Sequence, residues 1–148
     1  MEICALTTER FDEFYTLVEA MVAESEFKDA KPSRERIFEI HKMAHCCIYV
    51  AIYRDEIIGF VSGVAQQYFF SDRLRVSDLG LYVIPAQRGS SAAKRLIRAL
   101  EDWTRHMGIT DLYIGQLTAL NVDKTMKFYA HQGYSMVGYN TVKHLEMH

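Results

Sequence analysis

The hydrophobic pattern changes its period twice along the chain, and this alternation limits the fold more than any other sequence feature. From Phe11 the apolar residues recur at helical spacing, and a second helix is predicted over residues 33–44. β-Branched and aromatic residues then predict three antiparallel strands, which cover residues 47–53, 57–67 and 76–84. After Pro85 the helical spacing returns, and Gly108 is a suitable end for that helix. The middle of the chain is therefore a meander of strands followed by an amphipathic helix.

The two ends of the chain complete a mixed sheet. A short strand is predicted over residues 2–6, with Thr8 as the cap of the helix that follows. The second half adds a strand over residues 111–117 and a helix over 122–131, which the Asn121 side chain can cap and Gly133 can end. Closing strands are predicted over residues 134–139 and 141–146. A strand, a helix and another strand in succession imply a crossover and hence one parallel pair. We expect one α/β domain of the α+β type over residues 1–148. Its mostly antiparallel sheet of six to seven strands is flanked by about four helices.

Composition excludes several classes of protein. The chain has 148 residues, of which 49% are hydrophobic, so it can bury a core. A net charge of −2 argues against nonspecific nucleic-acid binding, which needs a basic surface. No apolar run approaches the ~18 residues that span a membrane, and the N-terminal residues lack the pattern of a signal peptide. We therefore expect a cytoplasmic protein that binds neither nucleic acid nor membrane.

The cysteines and the histidines near them do not form a convincing metal or disulfide pattern. Cys4, Cys46 and Cys47 are odd in number and two are adjacent, which favours reduced thiols. His41 and His45 would share a helix face, but a structural zinc site needs four ligands and the other histidines are distant in sequence. We expect no metal.

A loop of small residues separates the third strand of the meander from the long helix. Its sequence from Val83 to Lys94 is Val-Ile-Pro-Ala-Gln-Arg-Gly-Ser-Ser-Ala-Ala-Lys. The first amides of a helix lack internal partners and lie at the positive end of the helix dipole. Small residues let a pyrophosphate approach those amides, and Arg88 adds a positive charge. The alternative is an ordinary helix start in which small residues serve packing. The pattern is neither a Walker loop nor a dinucleotide fingerprint.

This loop resembles the phosphate loop of the GNAT superfamily of N-acetyltransferases. That loop is Arg/Gln-x-x-Gly-x-Gly/Ala after a strand ending in apolar-aromatic-Val-x-Pro, and residues 81–85 (Leu-Tyr-Val-Ile-Pro) match the strand end. Arg88 and Ala93 match the first and last positions of the loop. Ser91 stands where the family usually has glycine, so a small side chain able to donate a hydrogen bond lies near the path of the phosphates.

A second stretch, residues 121–134, resembles the family's other signature. That signature is Asn-x-x-Ala-x-x-Phe/Leu-Tyr-x-x-x-Gly-Phe, and this chain departs from it with Thr125 in place of alanine. Asn121, Tyr129 and Gly133 occupy the corresponding positions. The two signatures occur in the family's order, and together they cover residues 81–134.

The resemblance implies acetyl-CoA as co-substrate and a primary amine, of a small molecule or a protein, as acceptor. The residues that would bind CoA are Leu81, Tyr82 and Val83 along its arm, Arg88, Gly89, Ser90, Ser91, Ala92, Ala93 and Lys94 at the pyrophosphate, and Asn121. Tyr129 resembles the general acid, since a phenol can protonate the leaving thiolate; the alternative is a packing role in its helix. Direct attack of the amine on the thioester is expected, without an acyl-enzyme.

Members of the family often carry an acid on the strand before the loop, and Asp78 is the only acid in residues 76–84, so the resemblance implies Asp78 as the candidate general base. Alternation along a strand leaves its direction open, and Gly80 beside it would permit a β-bulge that changes the direction. Some relatives carry the acid at the position of Leu79, and several have no dedicated base.

Other features allow more than one interpretation. Glu24, Glu26 and Asp29 would suit a cationic acceptor, or form a solvated polar loop. The segment Tyr68-Phe69-Phe70 could line a pocket, form the contact of a homodimer or belong to the core at a hairpin end. Two other functions are compatible with the fold: a CoA-binding regulator without catalysis, and an interaction module that has lost the cofactor.

Overall fold

One five-stranded sheet organises most of the computed structural model, which describes residues 1–115 and 121–147 and divides into two units, Met1–Gly115 and Gln116–His148. The strands, all in the first unit, are β1 (Glu2–Ala5), β2 (Cys46–Tyr53), β3 (Glu56–Gln67), β4 (Leu74–Val83) and β5 (Leu112–Tyr113). The first unit also holds α1 (Phe11–Glu24), α2 (Arg34–Lys42) and α3 (Ala92–His106), and the second holds α4 (Val122–His131). Short 3-10 helices cover Thr8–Arg10 and Pro85–Gln87.

The strands follow one another across the sheet in chain order. β1 to β4 pair antiparallel, and β4 pairs with β5 in parallel, with α3 as the crossover between them. β2 and β3 are joined by a two-residue turn in which Arg54 and Asp55 both have positive φ, the geometry that suits the twist of a hairpin. The predicted mixed, mostly antiparallel α/β fold with four helices is confirmed.

Helices cover both faces of the sheet. On one face, Phe11, Phe14 and Val18 of α1 pack with Phe60 and Tyr82. On the other face, the buried side of α3 packs against the sheet through Ala92, Leu96, Leu100 and their neighbours. Residues 57–63 of β3 are buried without interruption because both faces of this central strand are covered.

The helix starts depend on different caps from those expected. Thr8 does not cap α1; it lies in the 3-10 helix before α1, and its hydroxyl accepts a hydrogen bond from Lys42 Nζ at 2.9 Å. Ser33 does cap α2, because its Oγ accepts from the amide of Arg36 at 3.2 Å. None of the helices in the described ranges is long and apolar enough to cross a membrane.

Within residues 1–115 and 121–147 the sheet has five strands rather than the six or seven expected. Residues 134–147 form neither helix nor strand, so the closing strands predicted at 134–139 and 141–146 are wrong. Their apolar and aromatic residues are largely exposed, among them Val137, Tyr139 and Val142. Residue composition is only a local signal, and a strand forms only where a partner edge is available to it. The strand predicted at 111–117 is observed as Leu112–Tyr113, and its last two residues lie outside the described ranges.

The segment at the β3–β4 connection divides between two environments. Tyr68 donates a hydrogen bond to Asp111 Oδ2 at 2.7 Å and lies 3.0 Å from the hydroxyl of Tyr113, so it fastens the hairpin end to the start of β5. Phe69 and Phe70 are exposed, which excludes the core position considered for them.

Two glycines of the sheet give a matched test of its packing. A Cβ added to Gly59 would lie 2.8 Å from the carbonyl oxygen of Tyr82 on the neighbouring strand, and a backbone atom cannot swing aside. We therefore expect Gly59→Ala to lower the free energy of unfolding by about 1–3 kcal/mol. A Cβ on Gly80 would meet nothing closer than Phe60 at 3.6 Å, so Gly80→Ala should change it by at most ~0.5 kcal/mol. Urea unfolding measures both, and equal midpoints would contradict the packing described for Gly59.

Candidate active site

β4 and β5 are paired over only two positions and then part. The parallel ladder consists of Val76 opposite Leu112 and Ser77 opposite Tyr113. β5 ends at Tyr113, whereas β4 continues to Val83. Within the described ranges, the edge of β4 that faces away from β3 has no ladder partner beyond Ser77. An unpaired strand edge offers backbone donors and acceptors to an extended ligand.

A β-bulge lies at the point where the two strands part. Ser62 of β3 pairs with Gly80, and the next residue, Gly63, pairs with Asp78, so Leu79 is the extra residue of β4. The expected bulge therefore exists, but it lies at Leu79 rather than at Gly80. The φ of Gly80 is not positive, and a Cβ at this position would have enough space, so glycine is not required there.

The bulge leaves Asp78 directed toward the end of β5. Its Oδ1 accepts a hydrogen bond from the backbone amide of Gly115 at 3.0 Å, so a side chain bridges the strands where their ladder has stopped. Burial raises the pKa of this carboxyl from its ordinary value to about 6, against the smaller opposing effect of hydrogen bonds from the amides of Gly115 and of Asp78 itself. A carboxyl with such a pKa is mainly ionised at pH 7 and is still a useful proton acceptor.

The loop after β4 presents unpaired backbone amides at the start of α3. Gly89 has φ +92°, a conformation that favours glycine, and it turns the chain from the 3-10 helix toward α3. Ser90 Oγ accepts from the amide of Ala92 at 3.2 Å. Four other amides have no hydrogen-bond partner among the described residues; they belong to Gly89, Ser91, Ala93 and Lys94. Together with the helix dipole they form a suitable site for an anion.

Ser91, the departure from the family pattern, precedes the first residue of α3. Its residue is exposed and its side chain forms no capping hydrogen bond. Because the Ser91 hydroxyl is not used as a cap, it can donate a hydrogen bond to a ligand.

Arg88 lies beside the loop and is held on three sides by the protein. Its Nε donates to the carbonyl oxygen of Val83 at 2.9 Å, and its guanidinium lies 5.4 Å from the centre of the Tyr82 ring. Its Nη2 donates to Glu24 Oε2 at 3.0 Å, and Nη1 lies 3.0 Å from Oε1. Tyr82 donates its phenolic hydrogen to the same carboxylate. The sequence predicts a charge beside the phosphates; the structure adds that this charge is already paired.

The sequence suggests that Glu24 contacts a cationic acceptor or lies in a solvated loop, whereas in the structure its carboxylate is bonded to Arg88 and Tyr82. It is the last residue of α1, and the hydrogen bond from Arg88, followed by that from Tyr82, holds the pKa of its carboxyl below the ordinary value. Glu26 and Asp29 are exposed and form no ion pair with described residues. The contact between Glu24 and Arg88 joins residues 64 positions apart, so no local pattern could have indicated it.

The other candidate residues lie in the second unit. Tyr129 of α4 is buried, with 6% of its surface exposed, and its ring centre lies 5.8 Å from that of Phe128 and 6.1 Å from that of Tyr134. Asn121 precedes α4 in the left-handed conformation, and its side chain does not cap the helix; its carbonyl oxygen accepts from the amide of Thr125 at 3.0 Å. The capping role predicted for the Asn121 side chain is wrong. Gly133, with φ +92°, ends the helix as predicted.

β4 parts from its parallel neighbour β5, and the helix that follows β4 has unpaired first amides. These features define a class of α/β protein suited to an extended ligand with a phosphate group. The chain belongs to the acetyltransferase (GNAT) family, whose family model matches residues 8–134. The resemblance drawn from the two sequence signatures is thereby confirmed. No curated relative matches the chain.

Solved structures share the fold at low sequence identity. An aminoglycoside acetyltransferase, meta-AAC0020, from an uncultured soil metagenomic sample has a TM-score of 0.79 and 18% identity, covering 98% of this chain and 96% of its own. AAC(6')-Iy with the bisubstrate analogue CoA-S-monomethyl-acetylneamine has a TM-score of 0.78 and 17% identity, covering 99% and 98%. A ribosomal-protein-alanine N-acetyltransferase from Brucella melitensis biovar Abortus 2308 has a TM-score of 0.74 and 18% identity, covering 98% and 100%.

The raised pKa of Asp78 has a consequence for stability with a definite sign. In the folded state its pKa is about 6 instead of 3.8, so between these values the folded protein binds more protons than the unfolded chain. The carboxyl therefore costs stability as the pH rises through this window. Relative to Asp78→Asn, whose amide oxygen can still accept from Gly115, we expect the natural protein to lose on the order of 2–3 kcal/mol of unfolding free energy between about pH 4 and about pH 7. Urea unfolding of both proteins over this range measures the difference, and a difference independent of pH would refute the raised pKa.

Proposed function

We propose that the protein transfers the acetyl group of acetyl-CoA to a primary amine by direct attack on the thioester. The observation that carries this proposal is the continuity of the unpaired edge of β4 with the unpaired amides of Gly89, Ser91, Ala93 and Lys94. CoA is an extended molecule with an amide-bearing arm at one end and phosphates at the other. The two features follow each other along the chain in the order that such a ligand requires.

Binding would rest mainly on the backbone. The arm would pair with the edge of β4 along Leu81, Tyr82 and Val83, as an added strand pairs with a sheet edge. The pyrophosphate would accept hydrogen bonds from the amides of Gly89, Ser91, Ala93 and Lys94 and from the Ser91 hydroxyl. Ser90 and Ala92 would contribute the small side chains that allow this approach, and Asn121 is a further candidate contact to the arm.

The chemistry balances with two proton transfers. The amine nitrogen bonds to the carbonyl carbon of the thioester, and the carbon–sulfur bond then breaks. Asp78 is the candidate acceptor for the proton that the amine loses, because its pKa of about 6 keeps it ionised at neutral pH. Tyr129 is the candidate donor to the leaving thiolate, because a phenol of pKa ~10 can protonate a thiolate whose conjugate acid has pKa ~8.5.

The acceptor is proposed only as a class. One of the similar structures is of an aminoglycoside acetyltransferase, one holds the bisubstrate analogue CoA-S-monomethyl-acetylneamine and one is of a ribosomal-protein-alanine N-acetyltransferase. Both small-molecule amines and protein amino groups therefore belong in a test panel. The alternative function, a CoA-binding regulator without catalysis, is favoured by one observation, namely that Ser91 replaces the usual glycine of the loop.

Binding and turnover of acetyl-CoA test the function in sequence. We expect saturating acetyl-CoA, at ~100 times its dissociation constant, to raise the free energy of unfolding by ~2.7 kcal/mol. Thiol release should then follow with at least one amine among aminoglycosides, polyamines, amino acids and peptides bearing lysine or a free N-terminus. Tight binding without turnover on any amine would support the regulator, and the absence of any stabilisation would support a module that has lost the cofactor.

Removal of the phenolic oxygen of Tyr129 tests the role of this residue. We expect Tyr129→Phe to lower kcat by about 100-fold or more while the dissociation constant of acetyl-CoA stays within a factor of two, because only the proton donor is removed. Tyr134→Phe, the same change at a neighbouring tyrosine, is the control and should retain kcat. Steady-state measurement of thiol release gives kcat, and calorimetry gives the dissociation constant of acetyl-CoA. An unchanged kcat in Tyr129→Phe would remove this residue from the mechanism.

A further inference from the structure

Glu24 connects the end of α1 with the phosphate loop through Arg88. Two Arg88 nitrogens, Nη1 and Nη2, each lie 3.0 Å from a different oxygen of the Glu24 carboxylate. This two-point arrangement fixes the plane of the guanidinium as well as its position. Nε of the same guanidinium holds the carbonyl oxygen of Val83 at 2.9 Å. The Glu24 carboxylate thus sets the orientation of the Arg88 guanidinium, which joins the last residue of β4 to the start of the loop.

The contact lies at the surface, and its strength comes from its geometry. The side chains of Arg88 and Glu24 are 49% and 35% exposed, so solvent screens their charges. The guanidinium also lies over the ring of Tyr82, and the hydroxyl of that ring bonds to Glu24. Three groups therefore hold one another, and ordering of a long arginine side chain is the main conformational cost that they share.

The position of Arg88 in the chain gives this contact its effect. Arg88 has extended φ/ψ and is followed directly by Gly89, which turns the chain at φ +92° toward α3. The unpaired amides begin at that glycine. A guanidinium free to leave Val83 would loosen the entrance to the loop, and the amides would have to be ordered when the ligand binds.

We propose that Glu24 is a positioning residue that holds Arg88 on Val83 and so preorganises the phosphate loop for acetyl-CoA. The proposal rests on the proposed function. It gives the carboxylate a role opposite to a simple electrostatic expectation, in which an acid beside the loop would repel phosphates and its removal would improve binding.

Calorimetry with acetyl-CoA tests the proposal, and Glu26 provides a matched control. We expect Glu24→Ala to raise the dissociation constant about three- to tenfold, and Glu24→Gln to raise it less, because an amide oxygen still accepts one of the two hydrogen bonds. Glu26→Gln removes an exposed charge two residues away and should leave the constant within a factor of two. Urea unfolding of each variant shows that the variants are folded.

The decisive comparison is in a second background. Because Glu24 acts through Arg88, Glu24→Ala should have no further effect on the dissociation constant once Arg88→Ala is present. In turnover, its effect should fall on the KM for acetyl-CoA and leave kcat within a factor of two. The same loss in both backgrounds, or tighter binding by Glu24→Ala, would overturn the proposal. If the natural protein itself does not bind acetyl-CoA, the proposed function fails first and this inference fails with it.

Discussion

The brief pairing of β4 with β5 is the constraint from which the rest of the site follows. A parallel pair needs a crossover, and α3 provides it by packing Leu96 and Leu100 against the sheet. Once the ladder stops at Ser77, the remaining length of β4 keeps β3 on one edge and has no described partner on the other. The bulge at Leu79 and the bridge from Asp78 to Gly115 mark the same point in the strand. The open edge and the direction of the candidate base therefore belong to one change in pairing, and the loop begins where the open edge ends.

The backbone and the charged side chain of the phosphate loop have different roles. Arg88 carries a full charge beside the loop amides, yet the protein already engages it through Val83 and Glu24. The amides of Gly89, Ser91, Ala93 and Lys94 have no such engagement among the described residues. The cation thus maintains the shape of the loop, and the backbone at the start of α3 provides the donors for an anion.

The sequence was informative wherever a local pattern decides the structure. The helical spacing from Ala93 to Met107 and the β-branched runs of β2 and β3 place elements within one or two residues of their observed bounds. The strands predicted over residues 134–139 and 141–146 do not form, because pairing depends on a partner edge that a local pattern does not contain. The direction of the Asp78 side chain depends on a bulge in strand pairing, and the partner of Arg88 lies on α1. Both features depend on tertiary contacts that a local sequence pattern does not contain. The chemical identity of the candidate residues could be predicted, but not their contacts.

The proposed function depends most on the binding of acetyl-CoA along β4 and at the start of α3. Backbone amide NMR during a titration with CoA tests this claim at individual residues. The largest shifts should occur at Gly89, Ser91, Ala93 and Lys94 and along residues 79–83, with small shifts in the open groove lined by Tyr49, Arg95 and Arg98. Shifts centred on that groove, with the loop amides unchanged at saturation, would contradict the account.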